Sequence, residues 1–305
     1  MPEDYPRTLG APMRLEGPLQ VGLIGRGISG SLSPRLHSRA AQLAGLPMRF
    51  SLVDLDARED LGPELRRLHA ERWRGLSVTM PWKRALDEHL LGMSPDAISI
   101  GSVNLLLRAE QGWVGENSDA DGFLRPLARR RLDFKRVLVV GAGGAARAVL
   151  HVLAAMPFVA AVSVRARRQG EALRLVEEFS HDGCDWAALG WGEAPPAPVD
   201  LIVNATPLGT LGALEAEWPC PPAWIRPGAA CFDLVYRPRE TRFLAAARER
   251  GARRIEGLEM LTAQARRAFE AWTGHAFPEA ELWRELGLDP AGGPACSEGS
   301  AGQCA

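Results

Sequence analysis

The stretch Ser77-Val78-Thr79 runs into Met80-Pro81-Trp82-Lys83. Ser77 and Thr79 alternate with Val78, so both hydroxyls face one side of an extended chain. Lys83 follows the break at Pro81. A single lysine is more often a surface charge, so Lys83 gains meaning only with partners. Asn104 lies inside the apolar run SVNLLL. A buried amide there needs hydrogen bonds, which a polyol ligand or the protein itself can supply. Ser31-Leu32-Ser33-Pro34 places two hydroxyls and free N–H groups at a helix start, where a carboxylate can be received. Ordinary N-capping accounts for Ser33 and leaves Ser31 spare. Asn117-Ser118-Asp119-Ala120-Asp121-Gly122 resembles the opening of a calcium loop, but its twelfth position is Ala128 rather than the bidentate glutamate calcium takes. No H-E-x-x-H, C-x-x-C or G-x-S-x-G occurs, so neither zinc nor serine-elbow chemistry has a site, and no metal is expected.

Two glycine loops follow strand-like segments. Gly25-Arg26-Gly27-Ile28-Ser29-Gly30 is a literal G-x-G-x-x-G, whereas Gly141-Ala142-Gly143-Gly144-Ala145-Ala146 lacks the third glycine. A pyrophosphate sits on the N-terminus of a helix that begins within such a motif. The first loop reaches its helix start only at Ser33-Pro34. The second runs at once into AARAVLHVLAAM, where Ala145, Ala148, Val149 and Val152 mark one helical face. The second loop is therefore the expected dinucleotide site, the alternative being a tight turn without ligand. The next strand ends in Arg165-Ala166-Arg167-Arg168, where an NAD site carries an acidic residue. Guanidinium groups there can hold a 2′-phosphate, which favours NADP(H), the alternative being a solvated basic turn.

The elements that must carry these groups alternate. Strand-like runs at LQVGLIG, FSLVDLD, GLSVTM and Ser102 to Arg108 are separated by helical segments, one of them opened by Pro81. A second series starts at RVLVVGAG and continues through AAVSVRA, DLIVNAT and AACFDLVY. This predicts an α/β fold of two α/β domains with parallel sheets, the boundary near Asp119. The length, 305 residues, suits two domains at about 150 residues each. With 36 basic and 37 acidic residues the net charge is −1, without the basic excess of a nucleic-acid binder. No apolar run is long enough for a membrane span. The first ~18 residues read as a loose extension rather than a secretory signal. The five cysteines, at 184, 220, 231, 296 and 304, show no paired spacing. Together these lead to the expectation of a cytoplasmic protein. The tail 289–305, rich in Gly, Ala and Ser, reads as disordered.

At this point the order of the motifs is itself informative. SLSP, SVTMPWK, IGSVNLL, GENSDADG, GAGGAARA, ATPLGT, DLVYRPRETRFL and GLEMLTAQARRAFEAWTG resemble, in sequence order from about Val21 to Pro278, the motifs of the shikimate dehydrogenase family, which includes the quinate/shikimate dehydrogenases. The resemblance implies NADP(H)-linked interconversion of 3-dehydroshikimate and shikimate. It implies that Ser31 and Ser33 bind the substrate carboxylate, that Thr79, Asn104, Asp119 and Gln264 hold its hydroxyls, and that Lys83 and Asp119 form the catalytic pair. Gly141, Gly143, Gly144 and Ala145 would line the pyrophosphate. Ala166, Arg167 and Arg168 would meet the adenosine phosphate, with Arg167 as its principal ligand. Thr206, Leu234, Tyr236, Gly257 and Met260 would border the nicotinamide and the substrate. The family fold implies a discontinuous N-terminal catalytic domain, here residues 1–118 with 258–288, and an NADP-binding Rossmann domain at 119–257. The partner is a small cyclohexane carboxylate, and the assembly a monomer or homodimer.

Three departures matter. Ser77 stands where shikimate-specific members carry Asn, which leaves room for quinate or a related ring. Ala166 replaces the Asn of an N-R-T motif, and Ser118 replaces Thr. The extra glycines of GRGISG have no account in the sequence beyond local flexibility. A quinate/shikimate dehydrogenase of broader specificity is the second reading. A non-catalytic nucleotide-binding paralogue is the third.

Overall fold

A computed structural model describes residues 17–288. All but the last residues of the expected ~18-residue N-terminal extension, and the tail 289–305, lie outside the described residues.

The chain begins with β1 (Leu19–Gly25), α1 (Ser33–Leu43), β2 (Met48–Asp54), α2 (Leu61–Ala70) and β3 (Gly75–Val78). It continues through β4 (Gly92–Met93), α3 (Pro95–Ile100), β5 (Leu105–Arg108) and β6 (Trp113–Glu116), then α4 (Asp119–Arg130). The first sheet runs β2-β1-β3-β5-β6-β4. Its β1, β2 and β3 are parallel, but β5 is antiparallel to both β3 and β6. The expected all-parallel arrangement is thus corrected here. The cause is a short hairpin in which Ala109 N–H bonds to the Gly112 carbonyl at 2.9 Å, joining β5 to a four-residue β6 too short to announce itself by pattern. Pro81 does not open an α-helix either. It precedes a three-residue 3₁₀ turn, Trp82–Arg84, and Val103 N–H ties that turn to the Lys83 carbonyl at 2.9 Å.

The second series is β7 (Arg136–Val140), α5 (Gly144–Ala154), β8 (Ala161–Arg165), α6 (Gln169–Phe179), β9 (Asp185–Leu189), β10 (Leu201–Asn204), β11 (Ala230–Asp233), α7 (Arg242–Glu249) and β12 (Arg253–Ile255). All its pairings are parallel, in the order β12-β11-β10-β7-β8-β9. Counted from β7 this is the 3-2-1-4-5-6 order of the doubly wound dinucleotide fold. The strand order reverses between β7 and β10, and ligands sit at that crevice. The central strands β7, β8, β10 and β11 read as largely apolar runs because helices cover both faces.

The chain ends with α8 (Gly257–Thr273) and α9 (Glu279–Glu285). Helix α8 starts on a capping box between Glu256 and Glu259 and stops at Gly274 in the left-handed region. Its Ala268 and Trp272 pack on Leu19, Val21, Leu105 and Leu107 of the first sheet. Its Ala265 and Phe269 meet Leu36, Ala40 and Ala41 of α1. Its first turn faces the other way, with Met260 in the core of the second sheet beside Phe123 and Phe232. Helix α8 therefore spans both sheets, and a buried Arg130–Glu259 ion pair (2.6 Å) joins it to α4.

Candidate active site

Asp119 opens α4 and is fully buried. The Asn117 side chain sets the entry, its Oδ1 accepting the N–H groups of Asp119 (2.9 Å) and Ala120 (3.2 Å). Three donors converge on the Asp119 carboxylate. Lys83 Nζ reaches Oδ2 at 2.6 Å, while Asn104 Nδ2 and Gln264 Nε2 reach Oδ1 at 2.9 and 2.5 Å. Asn104 Oδ1 in turn accepts the Ser118 N–H (2.6 Å) and hydroxyl (3.2 Å), which fixes the amide's orientation. The Asn104 backbone bridges the ends of β3 and β6, through Val78 N–H to its carbonyl and its own N–H to the Glu116 carbonyl. Four residues from distant parts of the chain thus form one cluster. The Lys83 side chain is 16% exposed and that of Asp119 only 1%, so the ammonium sits at the open end of the pair.

Thr79 follows β3 and packs its methyl against Gly25 at the end of β1. Ser77 lies half-buried within β3, with Leu23 of β1 and Leu105 of β5 as its sheet neighbours. The serine pair behaves differently from the N-cap expectation. Leu32 is the N-cap and Ser33 the first helical residue. Ser31 Oγ accepts the Ser33 N–H at 3.2 Å, and the Ser33 hydroxyl makes no hydrogen bond among the described residues. The first glycine loop is closed by protein. Asp54 at the end of β2 accepts the N–H groups of Gly27 (2.7 Å) and Ile28 (3.1 Å), so an internal carboxylate fills the place an anion would take. This accounts for the glycines: Gly27 sits at φ +66°, and the loop folds back on a carboxylate.

The second glycine loop is open. Gly141, at φ +121°, approaches the Ala205 carbonyl so closely that a Cβ would stand 2.8 Å from it. Gly143 is the N-cap of α5, with no side chain capping the helix and open space where its Cβ would lie. The first-turn N–H groups, including that of Ala145, have no intrahelical acceptor, which suits a pyrophosphate. Gly144 packs beside the Lys83 segment: a Cβ there would stand 2.6 Å from Ser102 Oγ and 3.3 Å from Lys83 Cδ. At the end of β8 the arginines divide. Arg165 is buried, bonds to the Pro219 carbonyl at 2.9 Å and lies over the rings of Trp191 and Trp224. Ala166 is buried, Arg168 pairs with Glu171 at 2.5 Å, and Arg167 is exposed with no ion pair among the described residues. An uncapped helix start with an unpaired guanidinium one strand away fits a dinucleotide that carries a 2′-phosphate.

A buried network that the sequence reading missed holds the far wall. Asn204 donates to Asp233 Oδ1 (2.8 Å), and Thr241 donates to Asp233 Oδ2 (2.6 Å). Thr206 N–H and hydroxyl both bond to Asn204 Oδ1, and Val235 N–H bonds to Asp233. Thr206 and Leu234 are thereby fixed at the ends of β10 and β11. The signal was two polar residues, Asn204 and Asp233, each closing an apolar strand. Gly257 lets α8 start against the Leu234 and Val235 carbonyls, which a Cβ would meet at 2.7 and 2.5 Å. Met260 is buried in the second-sheet core rather than open to the cleft. Tyr236 packs with Leu32 against Leu258 and Trp283, and the neighbouring Arg237 donates to the Gly30 carbonyl at 2.5 Å. The loop after β11 therefore touches the loop that carries the serines.

Comparisons with known proteins agree with this architecture. Residues 23–106 match the shikimate dehydrogenase substrate binding domain, and residues 257–286 the shikimate 5′-dehydrogenase C-terminal domain. A protein of Moorella thermoacetica named shikimate dehydrogenase (NADP(+)) is 37% identical over 296 residues, covering 90% of this chain and 96% of that protein. The solved shikimate 5-dehydrogenase of Thermus thermophilus, in complex with NADP(H) and shikimate, aligns with a TM-score of 0.76 and 34% identity over 87% of this chain and 97% of that one. The quinate dehydrogenase of Corynebacterium glutamicum, in complex with NAD, aligns with a TM-score of 0.78 and 27% identity over 88% of this chain and 99% of that one. No helix among the described residues is long and apolar enough to cross a membrane. Fold, motif order and relatives converge, and the chain belongs to the shikimate dehydrogenase family.

Proposed function

We propose that this protein interconverts 3-dehydroshikimate and shikimate by NADP(H)-linked hydride transfer, with Lys83 and Asp119 as its catalytic pair. The observation that carries the reading is the Lys83–Asp119–Asn104–Gln264 cluster set beside the uncapped start of α5. Gly141, Gly143, Gly144 and Ala145 hold the pyrophosphate, Arg167 the 2′-phosphate, and Thr206 and Leu234 border the ring. When bound, NADP(H) supplies or accepts the hydride.

The remaining chemistry belongs to the chain. Ser31 and Ser33 receive the carboxylate at the start of α1, where N–H groups favour negative charge. Thr79, Asn104 and Gln264 orient the ring hydroxyls, with Ser77 and Tyr236 at the edge of the pocket. In the reduction, Lys83 Nζ gives a proton to the carbonyl oxygen as the carbon gains its hydride. In the oxidation, the neutral amine takes the hydroxyl proton back. Asp119 is the fixed partner. Its carboxylate already accepts three side-chain donors and is shut from solvent, which supports an anchoring role and leaves the proton to Lys83. Composition supports the same division. Of 36 basic residues only two, Lys83 and Lys135, are lysines. An ammonium can exchange a proton where a guanidinium cannot, and position 83 is one of two places where this arginine-rich chain keeps one.

We divide the chain into a catalytic domain, residues 1–118 with 258–288, and a nucleotide domain, residues 119–257, working in the cytoplasm as a monomer or homodimer. The packing of α8 and α9 on α1 and the first sheet supports the return of the chain to its first half. A broader reading, with quinate as a second substrate, has one specific support: the Ser77 side chain is short, half-buried and without a hydrogen bond among the described residues. Initial rates with shikimate and with quinate, each against NADP⁺ and NAD⁺, separate the two readings. Turnover of shikimate with NADP⁺ alone supports the narrow one, and comparable turnover of quinate the broad one. No nicotinamide reduction with either acid would overturn both.

A further inference from the structure

Ser102 lies in the turn between α3 and β5, and its backbone is fully engaged. Its N–H bonds to the Ala97 carbonyl at 3.3 Å, and its carbonyl accepts Asn117 Nδ2 at 2.7 Å. Its side chain is not. The residue is 3% exposed, and its Oγ is enclosed with no hydrogen-bond partner among the described residues. A hydroxyl kept in that state weakens the fold unless a ligand answers it.

Its position says which ligand. Ser102 Oγ stands 2.6 Å from where a Cβ of Gly144 would lie, and Gly144 is the first residue of the eleven-residue helix α5. The Lys83 stem shares the same contact. Beyond it, Lys83 Nζ turns to Asp119. Ser102 thus lies between two places: the helix start, where the phosphates belong, and the Lys83–Asp119 pair, where the hydride moves. In a dinucleotide the part that joins those places is the nicotinamide ribose with its 5′-phosphate.

We propose that the Ser102 hydroxyl, contributed from the first half of the chain, is a ligand of the nicotinamide-side ribose and phosphate. In this structure the hydroxyl is closed against Gly144. A slight parting of α5 from the turn between α3 and β5 presents it to the cofactor, so cofactor affinity and the seating of α5 against the Lys83 segment are linked. The proposal rests on the NADP(H) reading above.

The test compares wild type with Ser102→Ala by calorimetric titration of three probes, together with the melting temperature of the free protein. NADP⁺ carries the whole ligand. 2′-Phospho-ADP-ribose lacks only the nicotinamide. 2′,5′-ADP lacks the second ribose and its phosphate. The expected result is a Kd about tenfold weaker for the first two, the loss of one hydrogen bond to a charged or polyol group, with 2′,5′-ADP unchanged. The free variant should melt no lower than wild type, because the hydroxyl removed has no partner there. An unchanged Kd between the two proteins for each of the three probes would overturn the proposal. So would a uniform loss on all three with a lower melting temperature, which marks a structural role. Failure of wild type itself to bind NADP⁺ would overturn the cofactor reading and this proposal with it, and is distinguishable because it needs no variant.

Discussion

Asp54 closes the first glycine loop, its two carboxylate oxygens accepting the N–H groups of Gly27 and Ile28 at 2.7 and 3.1 Å. A literal dinucleotide fingerprint is thereby used as a scaffold for the serines that follow it. Asp54→Ala should free that loop and raise the KM for shikimate about tenfold while leaving the KM for NADP⁺ within about twofold, the scale of losing hydrogen bonds to a charged acceptor. Steady-state kinetics with each substrate varied checks this. A selective rise in the NADP⁺ KM would instead return the nucleotide to the first loop.

The arginine run after β8 divides its labour by burial and pairing. Arg165 is buried beneath two tryptophans, and Arg168 is engaged with Glu171. On the proposed reading, Arg167 is left for a 2′-phosphate. Arg167→Ala should raise the KM for NADP⁺ about 10- to 100-fold and barely alter that for NAD⁺, while Arg168→Ala should change either by less than about threefold. The ratio of NADP⁺ to NAD⁺ efficiencies in the two variants is the readout. The reverse ranking would place the phosphate on Arg168.

Two buried groups give stability opposing pH dependences. His37, stacked on Phe50 at 4.8 Å, is pushed down by burial from 6.5 to about 3. The unfolded chain then binds more protons through that window, so stability falls as the pH drops below about 6.5. Burial pushes Asp233 up from 3.8 to about 6, against the hydrogen bonds from Thr241, Val235 and Asn204. Its contribution is present below about pH 4 and lost as the pH rises through about 6. On acidification from pH 6.5 to 4, His37→Phe should therefore gain stability relative to wild type, and Asp233→Asn should lose it. Inside its window each group shifts stability by about 1.4 kcal/mol per pH unit. Urea unfolding at a series of pH values measures both slopes, and parallel curves for all three proteins would contradict the assignment.

Ser77 tests specificity. Within β3 it lies between Leu23 and Leu105, two residues before Thr79 on the same face. Ser77→Asn should lower the quinate-to-shikimate efficiency ratio by about tenfold, the discrimination a well-placed hydrogen bond to a hydroxyl confers. Progress curves with each acid at fixed NADP⁺ decide it. An unchanged ratio would move the specificity elsewhere in the pocket.

Four strands of the second sheet, β7, β8, β10 and β11, were legible because they are largely buried and read as apolar runs broken by helices. The sequence hid β4, β6 and β12, which have two, four and three residues and too little period to count, and β9, which is only partly buried. The preference for the second glycine loop came from where a helix could start, and α5 does begin at Gly144. What sequence could not supply was three-dimensional neighbourhood. Asp54 lies 27 residues from Gly27, Asn204 is 29 from Asp233, and Gln264 is 145 from Asp119. Such hydrogen bonds follow from sheet order and from the return of α8, neither of which a local pattern encodes. The N-cap expectation for Ser33 failed for a smaller reason: Ser31 captures the Ser33 N–H and moves the helix start by one residue.

On the proposed mechanism Lys83, anchored at 2.6 Å on a buried Asp119, moves the proton. The most direct measurement is the initial rate of NADP⁺ reduction by shikimate, wild type against Lys83→Ala, across the full saturation range of both substrates. The expected kcat is lower by about 10²- to 10⁴-fold, the usual worth of general acid–base catalysis, with the shikimate KM within about threefold. A kcat preserved within a few-fold, with the loss confined to KM, would contradict it and leave Lys83 as a binding residue.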